Sequence, residues 1–379
     1  MVWFIQEEMR GEIRMKENVK VKNPLYWASK LTETLMKKYS PNELPPAGRW
    51  HYHQGVFLCG VMSLWEKTWD EKYYQYYKEY VDQIIDNNGN FYFRRDELDS
   101  IQAGLLLFSL YKDTGNKKYK LAAQKLRSLF NTLNTTSEGG FWHKDKYPYQ
   151  MWLDGLYMGG PFALYYANEF NEPELIDMVI YQEQLMRRHT KDVKTGLYYH
   201  GWDEKGEMPW VNPETNAAQE IWGRSLGWYG LAIVNMIDLL PADHPIRIEW
   251  IGVIQDLVVA LSKFQDEKTG LWYQVVDKGE REDNWLEASA SSLFIYTIAK
   301  AVTKKYVDHK YSKVAWKGFN GLLEHKIIET DDSVIIKDIC IGTSIGVYDY
   351  YVTRERSEND LHGAGAFIMA CLAMDQLDS

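Results

Sequence analysis

Two acidic residues, Asp99 and Asp154, stand where a carboxyl group could do proton chemistry. Asp154 lies in Trp152-Leu153-Asp154-Gly155-Leu156, at the start of an apolar helical run. As structure, an acid there faces the positive end of the helix dipole and caps the first turn, as most first-turn acids do. As chemistry, the apolar neighbours raise its pKa, so that it can give up a proton near neutral pH. Asp99 opens the preceding helical segment, behind Arg94-Arg95-Asp96-Glu97. It too reads as an N-terminal acid in a charged loop. If the two helices are neighbours, however, Asp99 and Asp154 face each other, and the second charge keeps one of the pair protonated. Two such carboxyls also suit an ordinary glycosidase, where their separation sets the stereochemistry.

Other polar groups cluster around the same segments. His143 and His200 each end a glycine-then-aromatic loop, the second as Tyr199-His200-Gly201-Trp202-Asp203. Trp222, Arg224 and Trp228 share one helix. An arginine among tryptophans is commonly a stacked structural cation, and it is also a planar fork for a carboxylate ligand. His51-x-His53 has no zinc-like spacing, and no acidic partner in the sequence completes a ligand set. The chain has no Walker loop, no G-x-G-x-x-G and no G-x-S-x-G elbow. No metal or nucleotide cofactor is expected.

These residues must be held by helices. Apolar spacing of three and four marks segments near 24–39, 52–68, 71–86, 98–113, 117–133, 151–169, 173–189, 218–240, 245–265, 285–303, 308–325 and 359–377. Four loops repeat a glycine followed by aromatics, at Gly89, Gly140, Gly196 and Gly270. The helices after them are rich in Gly, Ala and Ser, so their backbones can approach closely, as an inner ring inside a wider one requires. The loops are too unevenly spaced for a solenoid repeat, which points to a closed toroid of six helical hairpins. No Ser/Gly-rich or Pro-rich linker interrupts the chain, so residues 1–379 are expected to form one catalytic domain.

Composition narrows the ligand. With 43 basic and 53 acidic residues the net charge is −10, which disfavours a nucleic-acid partner. Aromatic residues make up 15% of the chain, and their apolar faces with polar handles suit the C–H faces of sugars. Three scattered cysteines, Cys59, Cys340 and Cys371, build no disulfide framework. Val2-Trp3-Phe4-Ile5 followed by charges lacks the order of a secretory signal, and no stretch approaches the ~20 apolar residues of a membrane span. A cytoplasmic protein with no membrane partner is the expectation.

Trp152-Leu153-Asp154-Gly155-Leu156-Tyr157-Met158, His200-Gly201-Trp202-Asp203, Trp222-Gly223-Arg224-Ser225-Leu226-Gly227-Trp228 and the late Asn359-Asp360-Leu361-His362-Gly363 occur in that order. Together they resemble the unsaturated glucuronyl and rhamnogalacturonyl hydrolases of glycoside hydrolase family 105, over nearly the whole chain. The resemblance implies an all-α (α/α)6 barrel. It implies a small disaccharide substrate, left by a polysaccharide lyase, whose uronate carries a C4=C5 double bond. It implies Asp154 as the acid that protonates C4, with Asp99 as the second acidic position. Tyr52, His143, Trp152, Met158, His200, Trp222, Arg224 and Trp228 match the family's pocket positions. Arg224 or a histidine is expected to hold the uronate carboxylate, the tryptophans to stack, and rhamnose to fill the second subsite. The loops at 266–284 and 327–356 are expected to select that sugar. A two-carboxylate glycosidase, a sugar epimerase and a non-catalytic helical scaffold are the rival readings.

Overall fold

The computed structural model describes residues 23–377, so the N-terminal stretch weighed above as a secretory signal lies outside them. Helix α1 (Pro24–Lys38) starts where Asn23 accepts the Tyr26 N–H and Pro24 fills a first-turn position that needs no donor. The helices α2 (Tyr52–Thr68), α3 (Glu71–Ile84), α4 (Asp99–Gln102), α5 (Leu105–Thr114), α6 (Lys117–Arg127) and α7 (Gly155–Phe170) follow. The second half holds α8 (Glu174–Thr190), α9 (Gly223–Leu239), α10 (Ile246–Lys263), α11 (Ala288–Thr303), α12 (Ser312–His325), α13 (Tyr348–Val352) and α14 (Leu361–Leu377).

Their packing closes a ring. Helix α2 packs on α4 and α5, these on α7, α7 on α9, α9 on α11, α11 on α14, and α14 back on α2. Outside it, α1 lies on α14, α3 on α2, α6 on α5, α8 on α7, α10 on α9 and α12 on α11. This is the expected (α/α)6 barrel. Inner helices α9 and α14 are buried almost throughout, whereas outer α3 buries one stripe of Tyr73, Tyr76, Tyr77 and Tyr80. The small residues act as anticipated: a Cβ placed on Gly365 of α14 would lie 2.5 Å from the Val56 carbonyl of α2.

The structure departs from the periodicity reading in three places. The expected helix at 98–113 breaks at Ala103-Gly104, where a Cβ on Gly104 would meet the Phe162 ring at 2.6 Å. The segment expected to begin a helix at 151 first runs as strand β1 (Gln150–Trp152), antiparallel to β2 (Gly201–Asp203), with Trp152 opposite Gly201. The 327–356 region carries two more short pairs, β3 (Ile327–Glu329) with β4 (Val334–Ile336) and β5 (Ile339–Cys340) with β6 (Arg356–Ser357). Two of the recurrent loops share a further device: Asp192 and Asp266 each bond the N–H and hydroxyl of a threonine three residues on, ahead of a glycine at positive φ.

Candidate active site

A cavity of about 330 Å³ opens at the end of the ring where α2, α4, α7 and α9 begin. Tyr52 is the first residue of α2 and Asp99 the first of α4; Asp154 immediately precedes α7, and Trp222 immediately precedes α9. Helix α9 adds Arg224 and Trp228, α7 adds Met158, and β1 adds Trp152. All of these line the cavity together with His143. His200 is different: it is completely buried behind Asp154, outside the cavity wall. The expectation that it touches ligand is therefore corrected, because the β1–β2 pairing and the bond from Leu153 N–H to its carbonyl hold it beneath the carboxyl.

The capping reading of Asp154 fails on geometry. Its side chain makes no hydrogen bond to the first turn of α7. One carboxyl oxygen lies 3.6 Å from His200 Nε2 and the other 3.9 Å from His143 Nε2, and Oδ1 has no hydrogen-bond partner although buried. Tyr351 fixes the orientation of His200. Its hydroxyl accepts the Gly346 N–H and lies 2.6 Å from His200 Nδ1. With the phenol proton given to Nδ1, His200 carries its own proton on Nε2, facing Asp154.

Asp99 does not cap either. It bonds Lys144 Nζ, and its Oδ1 lies 3.1 Å from His143 Nε2. One imidazole nitrogen thus stands between the two acids, stacked flat on Trp152 at 4.4 Å. Burial pushes the Asp99 carboxyl up, but Lys144 and His143 outweigh it and hold the group ionised, well below the usual carboxylate range. Burial likewise lifts Asp154, and so does the charge of Asp99. His143 and His200 pull harder the other way, so its pKa lies below the ordinary value. The elevated pKa expected from its apolar neighbours is corrected: those neighbours exist, but His143 in the cavity wall and His200 buried behind it outweigh them. Burial also lowers the pKa of His200, keeping it neutral, and raises that of Tyr52.

Arg224 is anchored more firmly than a free ligand fork. It donates to the carbonyls of Cys340 and Ile341 and stacks over Trp222 at 4.4 Å. Trp222 and Trp228 are themselves packed, Trp222 beside His200 and Trp228 flat on Tyr157 at 4.8 Å, so they shape the wall more than they protrude. Sequence reasoning missed Lys144, although it adjoins His143. It also missed Thr343 and Ser344, which reach the cavity from the segment after β5. A further miss concerns His53. The acidic partner held to be absent is Asp360, which stands with His53 and His362 in one cluster.

An acid free of its helix, an ionised acid beside it, and positive charge in an aromatic cavity can transfer a proton to a small anionic sugar. The sequence profile of Glycosyl Hydrolase Family 88 matches residues 27–377. The chain belongs to that family. It is a glycoside hydrolase, and its kinship to family 105 is met in a solved structure. A family 105 glycoside hydrolase of C. acetobutylicum is 33% identical over 92% of this chain and 98% of its own, with a TM-score of 0.86. The unsaturated rhamnogalacturonyl hydrolase YesR of Bacillus subtilis is 27% identical over 302 residues, 78% of this chain and 80% of its own. An unsaturated glucuronyl hydrolase specific for heparin shares the fold, with a TM-score of 0.70 at 15% identity over 93% of this chain and 96% of its own.

Proposed function

We propose that this glycoside hydrolase removes the unsaturated, 4,5-dehydro galacturonyl residue from disaccharides that a lyase cuts from rhamnogalacturonan. The observation that carries the reading is Asp154 itself, an acid at a helix start that caps nothing and lies between two imidazoles in the cavity. Protonated Asp154 delivers its proton to C4 of the C4=C5 vinyl ether. The positive charge that forms is shared between C5 and the ring oxygen, beside the fixed negative charge of Asp99. The Asp154 carboxylate then takes a proton from water, which adds at C5. The resulting hemiketal opens and releases the second sugar. One carboxyl thus serves as acid and then base, and no covalent nucleophile is needed. His200 holds Asp154 from behind, and Arg224 supplies the fixed positive charge for the uronate. Tyr52, His143, Trp152, Met158, Trp222 and Trp228 enclose the ring. Thr343 and Ser344 line the cavity, and we assign the 327–356 region that carries them the selection of the second sugar, with rhamnose as the first choice.

We place the enzyme, as a single unit, in the cytoplasm. Its three cysteines are free and buried, and no described helix is long and apolar enough to cross a membrane.

The test offers lyase-generated disaccharides and follows loss of the double bond's ultraviolet absorbance. Asp154→Asn should keep the fold and lose about 10²–10⁴-fold in turnover, the usual contribution of a general acid–base group. A loss below about tenfold would remove Asp154 from the role. In deuterated water the released uronate should carry deuterium at C4. Rapid cleavage of the saturated disaccharide, or product without that label, would return the chain to an ordinary two-carboxylate glycosidase.

A further inference from the structure

The motif Asn359-Asp360-Leu361-His362 has no part in the proton transfer, yet it is built with care. Asn359 takes a left-handed backbone and clamps the neighbouring strand, accepting from Ile336 N–H and donating to the Val334 carbonyl. This sets Asp360 just before α14, opposite the start of α2. His53 Nδ1 of α2 lies 3.3 Å from Asp360 Oδ1, and His362 Nδ1 lies 2.8 Å from the same oxygen.

His362 poses a donor problem. The side chain is completely buried, and its Nε2 lies 3.2 Å from the Cys340 carbonyl. A neutral imidazole has one N–H, and here both ring nitrogens face acceptors. If Nε2 donates to Cys340, Nδ1 presents a lone pair to a carboxylate. The Nδ1 atom makes no hydrogen bond, despite its 2.8 Å distance from Asp360. A cation held among the three groups resolves this conflict. Two ligands each ~2 Å from a common ion stand ~3 Å apart, as each histidine nitrogen does from Asp360 Oδ1, and the three ligand atoms all lie within 4.8 Å of one another.

We propose that His53, Asp360 and His362 form a site for a first-row divalent cation, with Zn²⁺ as the best fit. Two imidazoles and one carboxylate form a borderline donor set that such ions take with coordination positions to spare. His53 lines the catalytic cavity, which provides an entry path and directs a spare position toward it. The ion would tie the start of α2 to the start of α14. Through His362 it would also steady the Cys340 carbonyl that holds Arg224. The site stands apart from the proton-transfer reading and survives if that reading fails.

Full-length protein, stripped with a chelator and dialysed, is titrated with Zn²⁺ and separately with Co²⁺. Bound metal is measured by atomic emission, and Co²⁺ by its visible d–d bands. The expected result is one ion per chain with histidine-type bands. His53→Gln and Asp360→Asn should each weaken retention by roughly tenfold or more, the scale on which disturbed metal sites lose affinity. His309→Gln, far along the chain, should leave it unchanged. Wild-type protein that retains neither ion, or variants that retain as much as wild type, would overturn the proposal and leave His362 as a buried structural histidine. The wild-type titration decides the matter even if Asp360→Asn fails to fold, and His53→Gln alters a side chain that is only partly buried.

Discussion

The titration of Asp154 follows from three neighbours, two imidazoles and one carboxylate. His143 and His200 favour its ionised form, while the negative charge of Asp99 opposes them. A carboxyl with a pKa below the ordinary value is mostly ionised at neutral pH, yet it must be protonated to act as the acid. The rate should therefore fall as pH rises through that pKa, giving an enzyme that works best on the acidic side. Replacing Asp99 with Asn removes the one charge that lifts Asp154, and it also frees Lys144 and His143 from their counter-charge. Both changes push the same way. Asp99→Asn should shift the descending limb of the kcat/KM profile to lower pH, besides slowing the reaction. An unshifted limb would show that the two acids are not coupled. Most of this constellation was legible because its residues recur at helix starts after aromatic loops. His200 was misplaced because its position depends on the pairing of β1 with β2, a contact between segments 50 residues apart. Lys144 was missed because an isolated lysine in a charged loop has no pattern; only the fold brings its ammonium to Asp99.

At the scale of elements, the site is a property of helix beginnings. Helices α2, α4, α7 and α9 all start at the cavity, so their unpaired N–H groups and dipoles face it. That field favours an anionic sugar and helps explain why buried acids there stay ionised. The remaining side of the wall comes from the segment after α12, which no periodicity announced. Its strands are two or three residues long, too short for alternation to show. Glu287 anchors it. The completely buried carboxyl accepts from the Cys340 N–H at 2.8 Å, from the Ser289 hydroxyl and from Ala290 N–H in the first turn of α11. Glu287→Ala leaves those donors unsatisfied and loosens the strand whose carbonyls hold Arg224. It should cost about 1–3 kcal/mol for each donor left unpaired, read by denaturant unfolding. It should also raise KM more than it lowers kcat, since the change reaches binding groups and not Asp154. Unchanged stability together with unchanged KM would show that β5 holds its place without Glu287.

For the whole molecule, the decisive property is closure. Helical hairpins can stack as an open arc, and nothing in the apolar periodicity of their helices chooses between arc and ring. The choice lies in the joint between the last inner helix and the first. There α14, apolar on all sides and rich in Gly and Ala, slides against α2 so closely that Gly365 faces the Val56 carbonyl and the Phe57 N–H. The small residues made a close joint readable in the sequence; which helices share it was a matter of long-range packing. A leucine at Gly365 cannot fit, since its Cβ alone would stand 2.5 Å from backbone that cannot rotate away. The helices must then separate or the chain must open. Gly365→Leu should therefore destabilise by more than the about 1–3 kcal/mol of an ordinary overpacked core. Because Tyr52 and His53 begin α2, parting this joint also displaces one wall of the cavity, so activity should fall with stability. The contrast is Gly252 on outer helix α10, where a Cβ meets nothing within 4 Å. Gly252→Ala should match or slightly exceed the wild-type melting temperature, because alanine gains about 0.5–1 kcal/mol over glycine in a helix. If Gly365→Leu melted like wild type, the closure of the ring would not reside in this joint.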